Sequence, residues 1–267
     1  LRALRPSRGD LIQRAIPSSG EMLPVIGLGR GWSKSMDPVA VKETIKTLVD
    51  NGGTVIDTSH GGPPVRQLVG TIASELGIED KVFWATALFA PGRGPAGVPG
   101  ATPKVDRAAV KAEMDAIFEA FKAPTIDLVQ VPAHADVPTH LAVLADLKKE
   151  GRVRYVGVMD LLLPPNMKPP AGMEDPLARL ESIMRSEPID FIGADYSVGD
   201  RRVEETLLPL AQERKIGFTA YFPFDRARIF KRAASTPLPE WAAEFGATTW
   251  AQFFLKYVIS HPALTVA

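Results

Sequence analysis

A parallel (β/α)8 barrel, the TIM-barrel fold, is what this sequence predicts, and three observations carry the prediction. Eight short apolar runs succeed one another at 25–28, 54–57, 82–86, 128–131, 154–158, 191–194, 217–222 and 264–267. Amphipathic segments of helical length separate most of them. Glycine closes several of these segments just before the next run, at Gly52-Gly53, Gly151 and Gly217, as left-handed helix caps require. Alternation of strand and helix through eight strands is the pattern of a closed parallel barrel. An open doubly wound sheet is the competing architecture, but no Gly-x-Gly-x-x-Gly follows a strand here.

The elements follow in order. Residues 1–15 are arginine-rich at the start, carry no periodicity and read as a poorly ordered leader to one domain spanning 16–267. The first helix is expected over 39–49, with apolar residues at 39, 41, 45, 48 and 49. A second, over 110–121, repeats the pattern with Met114, Ile117, Phe118 and Phe121. Further helices are expected over 141–149 and 203–212, and the most apolar one over 250–259. Two connections, 88–106 and 161–174, are rich in proline and glycine. Both follow strands, which puts them on the C-terminal rim, where they are expected either to cover a pocket or to form flexible surface.

Composition narrows the function. Lys+Arg and Asp+Glu both number 31, so nothing favours nucleic acid or an anionic membrane as partner. No apolar run approaches the roughly 18 residues of a bilayer span, and a soluble protein acting on a small-molecule ligand is expected. With no cysteine, thiolate metal sites and thiol nucleophiles are excluded, and no other spaced metal motif is present. The sequence opens at Leu1, which is compatible with a cleaved export signal and a periplasmic destination; a cytoplasmic one is the other expectation.

Several strings carry a family resemblance. They are Ile16-Pro-Ser-Ser-Gly-Glu-Met-Leu-Pro-Val-Ile-Gly-Leu-Gly29, Thr54-Val-Ile-Asp57, Ile126-Asp-Leu-Val-Gln-Val131 and Leu147-Lys-Lys-Glu-Gly-Arg-Val-Arg-Tyr-Val-Gly-Val158. Glu205-Thr-Leu-Leu-Pro-Leu-Ala-Gln212 and Trp250-Ala-Gln-Phe-Phe-Leu-Lys256 extend the match. Together they resemble the aldo-keto reductases, from the opening hairpin to the last strand. The resemblance implies a barrel whose C-terminal rim carries a tetrad of Asp, Tyr, Lys and His, in which the tyrosine protonates a substrate carbonyl. Asp57 matches the aspartate. The other three places fall on Gly62, Ala87 and Pro132, none of which can move a proton. The family's phosphate-binding loop follows the eighth strand, on which this sequence ends at Ala267.

Two readings follow. The first is a barrel that has lost NADPH-dependent carbonyl reduction, needs no cofactor, and binds or transforms a small molecule by lyase, isomerase or other non-redox chemistry. The alternative is a divergent NADP(H)-dependent oxidoreductase with a rebuilt acid site. For either, Asp57, His60, His134 and Tyr196 are the candidate catalytic residues, because each falls at or just beyond the end of a strand. Imidazoles titrate near neutrality and suit acid–base work. Tyr196 also sits near the place where the family stacks an aromatic ring on nicotinamide. Trp32, Phe89, Tyr221 and Phe224, with Tyr196, are the candidate walls of the substrate pocket.

Overall fold

Ile16 and Leu23 are fully buried near the start of the chain, and their burial explains the first element. They flank a hairpin of β1 (Gln13–Ala15) and β2 (Met22–Pro24). In the computed structural model, which describes residues 11–29, 36–88, 104–172 and 174–267, these two side chains cluster with Val55, Phe83, Leu128 and Phe191. Those four belong to barrel strands, so the hairpin plugs one end of the barrel. Gln13–Ala15 is thus part of the domain, and residues 1–10 of the expected leader lie outside the described residues.

Six strands run parallel in chain order: β3 (Val55–Asp57), β4 (Phe83–Ala87), β5 (Ile126–Pro132), β6 (Val153–Met159), β7 (Phe191–Asp195) and β8 (Gly217–Tyr221). The predicted first and last staves close the circle as isolated bridges. Leu28 pairs with Ile56, and Val266 with Thr219, both in parallel. Gly27 N donates to Ala267 O at 2.9 Å, and Ala267 N to Val25 O at 2.9 Å, which joins the two staves to each other. The barrel read from the apolar runs is therefore the observed architecture.

Helices cover its outside: α1 (Pro38–Asp50), α2 (Gly62–Leu76), α3 (Arg107–Phe121), α4 (Val137–Lys149), α5 (Pro176–Ser186), α6 (Leu207–Arg214), α7 (Arg228–Ala233) and α8 (Trp250–Ser260). Asp37, Asp106 and Asp175 cap α1, α3 and α5 by accepting from the amides of Val39, Ala108 and Leu177. The helix expected over 203–212 is instead a 3-10 turn at Arg202–Glu204 followed by α6. Outward side chains of the strands meet the helices: Trp84 of β4 stacks on Phe121 of α3 with ring centroids 4.5 Å apart.

Arg14 ties the hairpin to the end of α8. From β1 its guanidinium donates to the carbonyls of Ile259 (2.8 Å), Leu264 (3.1 Å) and His261. These are the last carbonyls of α8 and of the turn beyond it, which have no partner within the helix and carry its negative dipole end. Arg14→Ala is expected to cost about 2 kcal/mol, read as a lower midpoint in urea unfolding. An unchanged midpoint would show that water satisfies these carbonyls equally well.

Candidate active site at the barrel mouth

Side chains alternate along each strand, so a fixed set points into the barrel. Val55 and Asp57, Phe83 and Ala85, Leu128, Phe191, and Thr219 and Tyr221 line one cavity of about 530 Å³. Its walls are mostly apolar, with a few polar groups converging near the mouth, the usual make-up of a small-molecule site.

Asp57 closes β3 at this mouth. Its Oδ1 accepts from the Ser59 amide at 2.7 Å, which shapes the turn leading into α2. His60 follows in that turn, and its ring meets Tyr221 edge-on at 5.7 Å between centroids. Tyr221, in the sequence only a candidate wall, is the polar centre of the cavity. Its phenol oxygen accepts from Gln130 Nε2 at 2.5 Å. Burial, then the neighbouring Asp57 carboxylate, push the phenol well above the usual tyrosine range. Around it lie buried polar atoms with no hydrogen-bond partner: Ser59 Oγ, Gln130 Oε1 and Thr219 Oγ1. Such atoms are costly to leave unmet.

The segment after β8 forms one edge of the cavity. Phe222, Asp225, Arg226 and Ala227 all take left-handed φ, between 49° and 65°. Non-glycine residues adopt that region at a cost, and a run of them is held only by its surroundings. Arg226 supplies much of that hold. It pairs with the buried Asp195 at 2.5 Å and lies over the Phe222 ring at 3.9 Å. Phe224, a predicted wall, does line the cavity.

The other predicted site residues lie elsewhere. Tyr196 is one residue past β7 and out of phase with Phe191, so its ring points to the helices. Its hydroxyl donates to Glu204 at 2.8 Å, and its ring contacts those of Tyr257 and His261. His134 lies beside Asp160, with Nδ1 3.8 Å from Oδ1, and Asp160 is held by Arg179 at 3.3 Å. The structure therefore brings Asp57, His60 and Tyr221 together and sets Tyr196 and His134 in separate clusters. Trp32 and Phe89 lie outside the described residues, as does most of the connection 88–106.

The three places to which the resemblance assigns the Tyr, Lys and His of the tetrad have these local settings. Gly62 has φ of +65°, so a tyrosine there would be strained even though space is open around it. The carbonyl of Ala87 accepts from the guanidinium of Arg66, which reaches in from α2 and also donates to Thr86 Oγ1 at 3.1 Å. Pro132 ends β5 with no donor of its own. Sequence reasoning missed Gln130, Thr219, Ser59, Arg66 and Arg226. Gln130 had a visible signal, as the one polar residue in the run 128–131.

Comparison with known proteins places this geometry. Residues 25–267 match the profile of the Aldo/keto reductase family. The aldo-keto reductase YhdN of Bacillus subtilis (strain 168) is 24% identical over 198 residues, which is 72% of this chain and 54% of that protein. The chain thus spans about half the length of that curated relative. The holo form of aldo-keto reductase AKR11C1 from Bacillus halodurans superposes with a TM-score of 0.72 at 19% identity, covering 96% of this chain and 85% of that one. An aldo/keto reductase from Klebsiella pneumoniae, in complex with NADP and acetate, gives 0.69 at 20% identity, covering 92% and 81%. These neighbours overturn the expectation that no cofactor is needed: proteins of this fold were solved as a holo form and with NADP bound. Among the described residues, no helix is long and apolar enough to cross a membrane.

Proposed function

The chain belongs to the aldo/keto reductase family, and from that premise we propose that it is a divergent NADP(H)-dependent oxidoreductase with a rebuilt acid site. The observation that carries this reading is the mouth cavity, apolar in most of its walls, with Asp57, Thr219, Tyr221 and Arg226 as its polar and charged lining. A nicotinamide fits the residues present. Gln130 Oε1 and Thr219 Oγ1 are buried and unmatched, as the partners of a carboxamide would be. Arg226 keeps N–H donors beyond those facing Asp195, and is the cation at the cavity edge suited to phosphate oxygens. When bound, the reduced cofactor supplies the hydride.

The protein's own residues do the rest. Val55, Phe83 and Leu128 form an apolar floor below the mouth, packed against Ile16 and Leu23, and keep the depth of the cavity dry. Asp57 holds the Ser59 amide and keeps the turn at the mouth in place. His60, against the Tyr221 ring, is placed to exchange protons with solvent. The substrate class this supports is a small, largely apolar aldehyde or ketone.

The test is NADPH binding by the purified protein, followed by fluorescence, together with benzaldehyde-dependent loss of dihydronicotinamide absorbance. Saturable binding and slow turnover are expected, because the positioned acid of the family tetrad is worth roughly 10²–10⁴ in rate. Failure to bind NADPH would end this reading and leave the same cavity to non-redox ligand chemistry.

A further inference from the structure

We propose that the bore of the barrel is itself a binding site, and that the preferred substrates are straight-chain aldehydes and ketones. Their hydrocarbon tail lies along the barrel axis while the carbonyl stays at the mouth. The inference rests on the oxidoreductase reading for the fate of the carbonyl, and adds the shape of what that carbonyl is attached to.

The interior of an eight-stranded barrel is ordinarily filled by layers of bulky side chains from alternate strands. In this chain one side of the filling is thin. Gly27 and Gly29 of the first stave, Val55 of β3 and Ala85 of β4 come from three adjacent staves, and all four line the cavity. Beyond its chain neighbours, a Cβ on Gly29 would meet only atoms of Asp57, the nearest at 3.6 Å. At Gly27 the missing side chain makes room for Val55, whose Cγ1 would stand 3.0 Å from a Cβ there. These positions face Phe191 of β7 and Thr219 of β8 across the bore.

The cavity therefore descends from Asp57 and Tyr221 past Ala85 and Thr219 to Val55 and Phe83. It is blind at the far end, where Val55, Phe83, Phe191 and Val266 pack on Ile16 and Leu23 of the hairpin. Thr219 alone offers a polar side chain below the mouth, so what enters is hydrocarbon. A cavity of about 150 Å³ accommodates a benzene ring. At about 530 Å³ this one has room for a nicotinamide ring and a carbon chain together.

Width and depth set the shape of the tail. An eight-stranded bore is as wide as the side chains that usually fill it, which suits an unbranched chain and rejects a ring. From Asp57 to Val55 is two residues, about 6.6 Å of strand and about 5 Å along the axis once strand tilt is allowed for. A zigzag carbon chain advances about 1.25 Å per 1.5 Å bond, so about four carbons follow the carbonyl into the bore. Each methylene transferred from water to such walls is worth about fourfold in affinity.

The experiment has one arm without cofactor and one with it. In protein labelled with ¹³C at valine methyls, the signals missing from Val55→Ala assign Val55. Added to cofactor-free protein, 2-hexanone is expected to move those signals, and acetone, which has no tail, to leave them in place. With NADPH, kcat/KM is expected to rise about fourfold per methylene from propanal and to level off near hexanal. Cyclopentanecarbaldehyde, also of six carbons, is expected to fall at least tenfold below hexanal. Ala85→Leu, which fills the bore, is expected to end the rise about two carbons earlier, and Val55→Ala, which deepens it, one or two carbons later. A longer optimum in Val55→Ala is a gain that a merely loosened fold does not produce. A series flat in chain length, or one with the same end point in wild type and both variants, would overturn the proposal. So would 2-hexanone that fails to bind or leaves the Val55 signals in place. If NADPH does not bind wild type, the oxidoreductase reading fails and the turnover arm falls with it. The Val55 signals then decide separately whether the bore takes a hydrocarbon tail.

Discussion

Gly70→Ala is expected to destabilise the protein by about 3 kcal/mol or more, although alanine is the better helix former. Gly70 lies within α2, where exchange for alanine ordinarily gains about 1 kcal/mol. Here a Cβ would stand 1.9 Å from the carbonyl oxygen of Ala120, 2.8 Å from its carbonyl carbon and 3.0 Å from Phe121 Cα. All three are backbone atoms of α3, which cannot rotate out of the way as a side chain can. The two helices must separate, and overpacking of this kind costs typically 1–3 kcal/mol and occasionally more. Separation also reaches the site, because Arg66, one turn earlier on α2, is tied to the Ala87 carbonyl and to Thr86 at the end of β4. A midpoint of thermal unfolding lower by about 6–12 °C is the expected reading for a chain of this size. A midpoint equal to or above that of wild type would mean that α2 and α3 do not pack this closely.

The barrel was legible because its signal is repetitive. Each apolar run is short and bounded, and the helices between runs carry the 3.6-residue period. The closing staves at 25–28 and 264–267 needed no long-range information beyond their place in that series. Asp57 and His60 were legible because they follow one strand directly and share its turn, and Tyr221 and Phe224 were legible as walls of the cavity. Tyr196 shows why the rest was not. Nearness to a strand end does not decide which way a side chain faces. Counting by twos from Phe191 gives Gly193 and Asp195 as inward, and Tyr196 as outward, toward Glu204. The same count from Gly217 gives Thr219 and Tyr221 as inward, which makes Tyr221 the phenol at the mouth. The hydrogen bond from Gln130 to Tyr221 joins residues 91 apart in sequence. No local pattern specifies it, and it depends on the register of the whole barrel. The resemblance directed attention to Gly62, Ala87 and Pro132 rather than to the residues that line the cavity.

Gly193→Ala tests the arrangement from a residue that bears no functional group. On β7 its Cβ would point inward and meet Tyr221 Cε2 at 2.6 Å, Gln130 Oε1 at 2.8 Å and Met159 Cβ at 3.1 Å. In contrast to Gly70, the obstructing atoms belong to side chains, so the structure can yield by moving them. The stability loss should stay within the 1–3 kcal/mol of an overpacked core. The functional loss should be larger, because the atoms forced to move are the phenol ring and the amide that orients it. Misplacement of about 1 Å at a site can cost about 10² in rate, and a loss of that order in benzaldehyde turnover is expected. The double variant with Tyr221→Phe decides the cause. If Gly193 acts only by making room for the phenol, a chain that already lacks the hydroxyl has nothing further to lose. The double variant should then be no slower than Tyr221→Phe alone, the non-additivity expected of residues that share one interaction. Losses that multiply would mean that the added methyl obstructs the cavity itself, and that the close approach at Gly193 serves the shape of the pocket rather than the placement of the phenol.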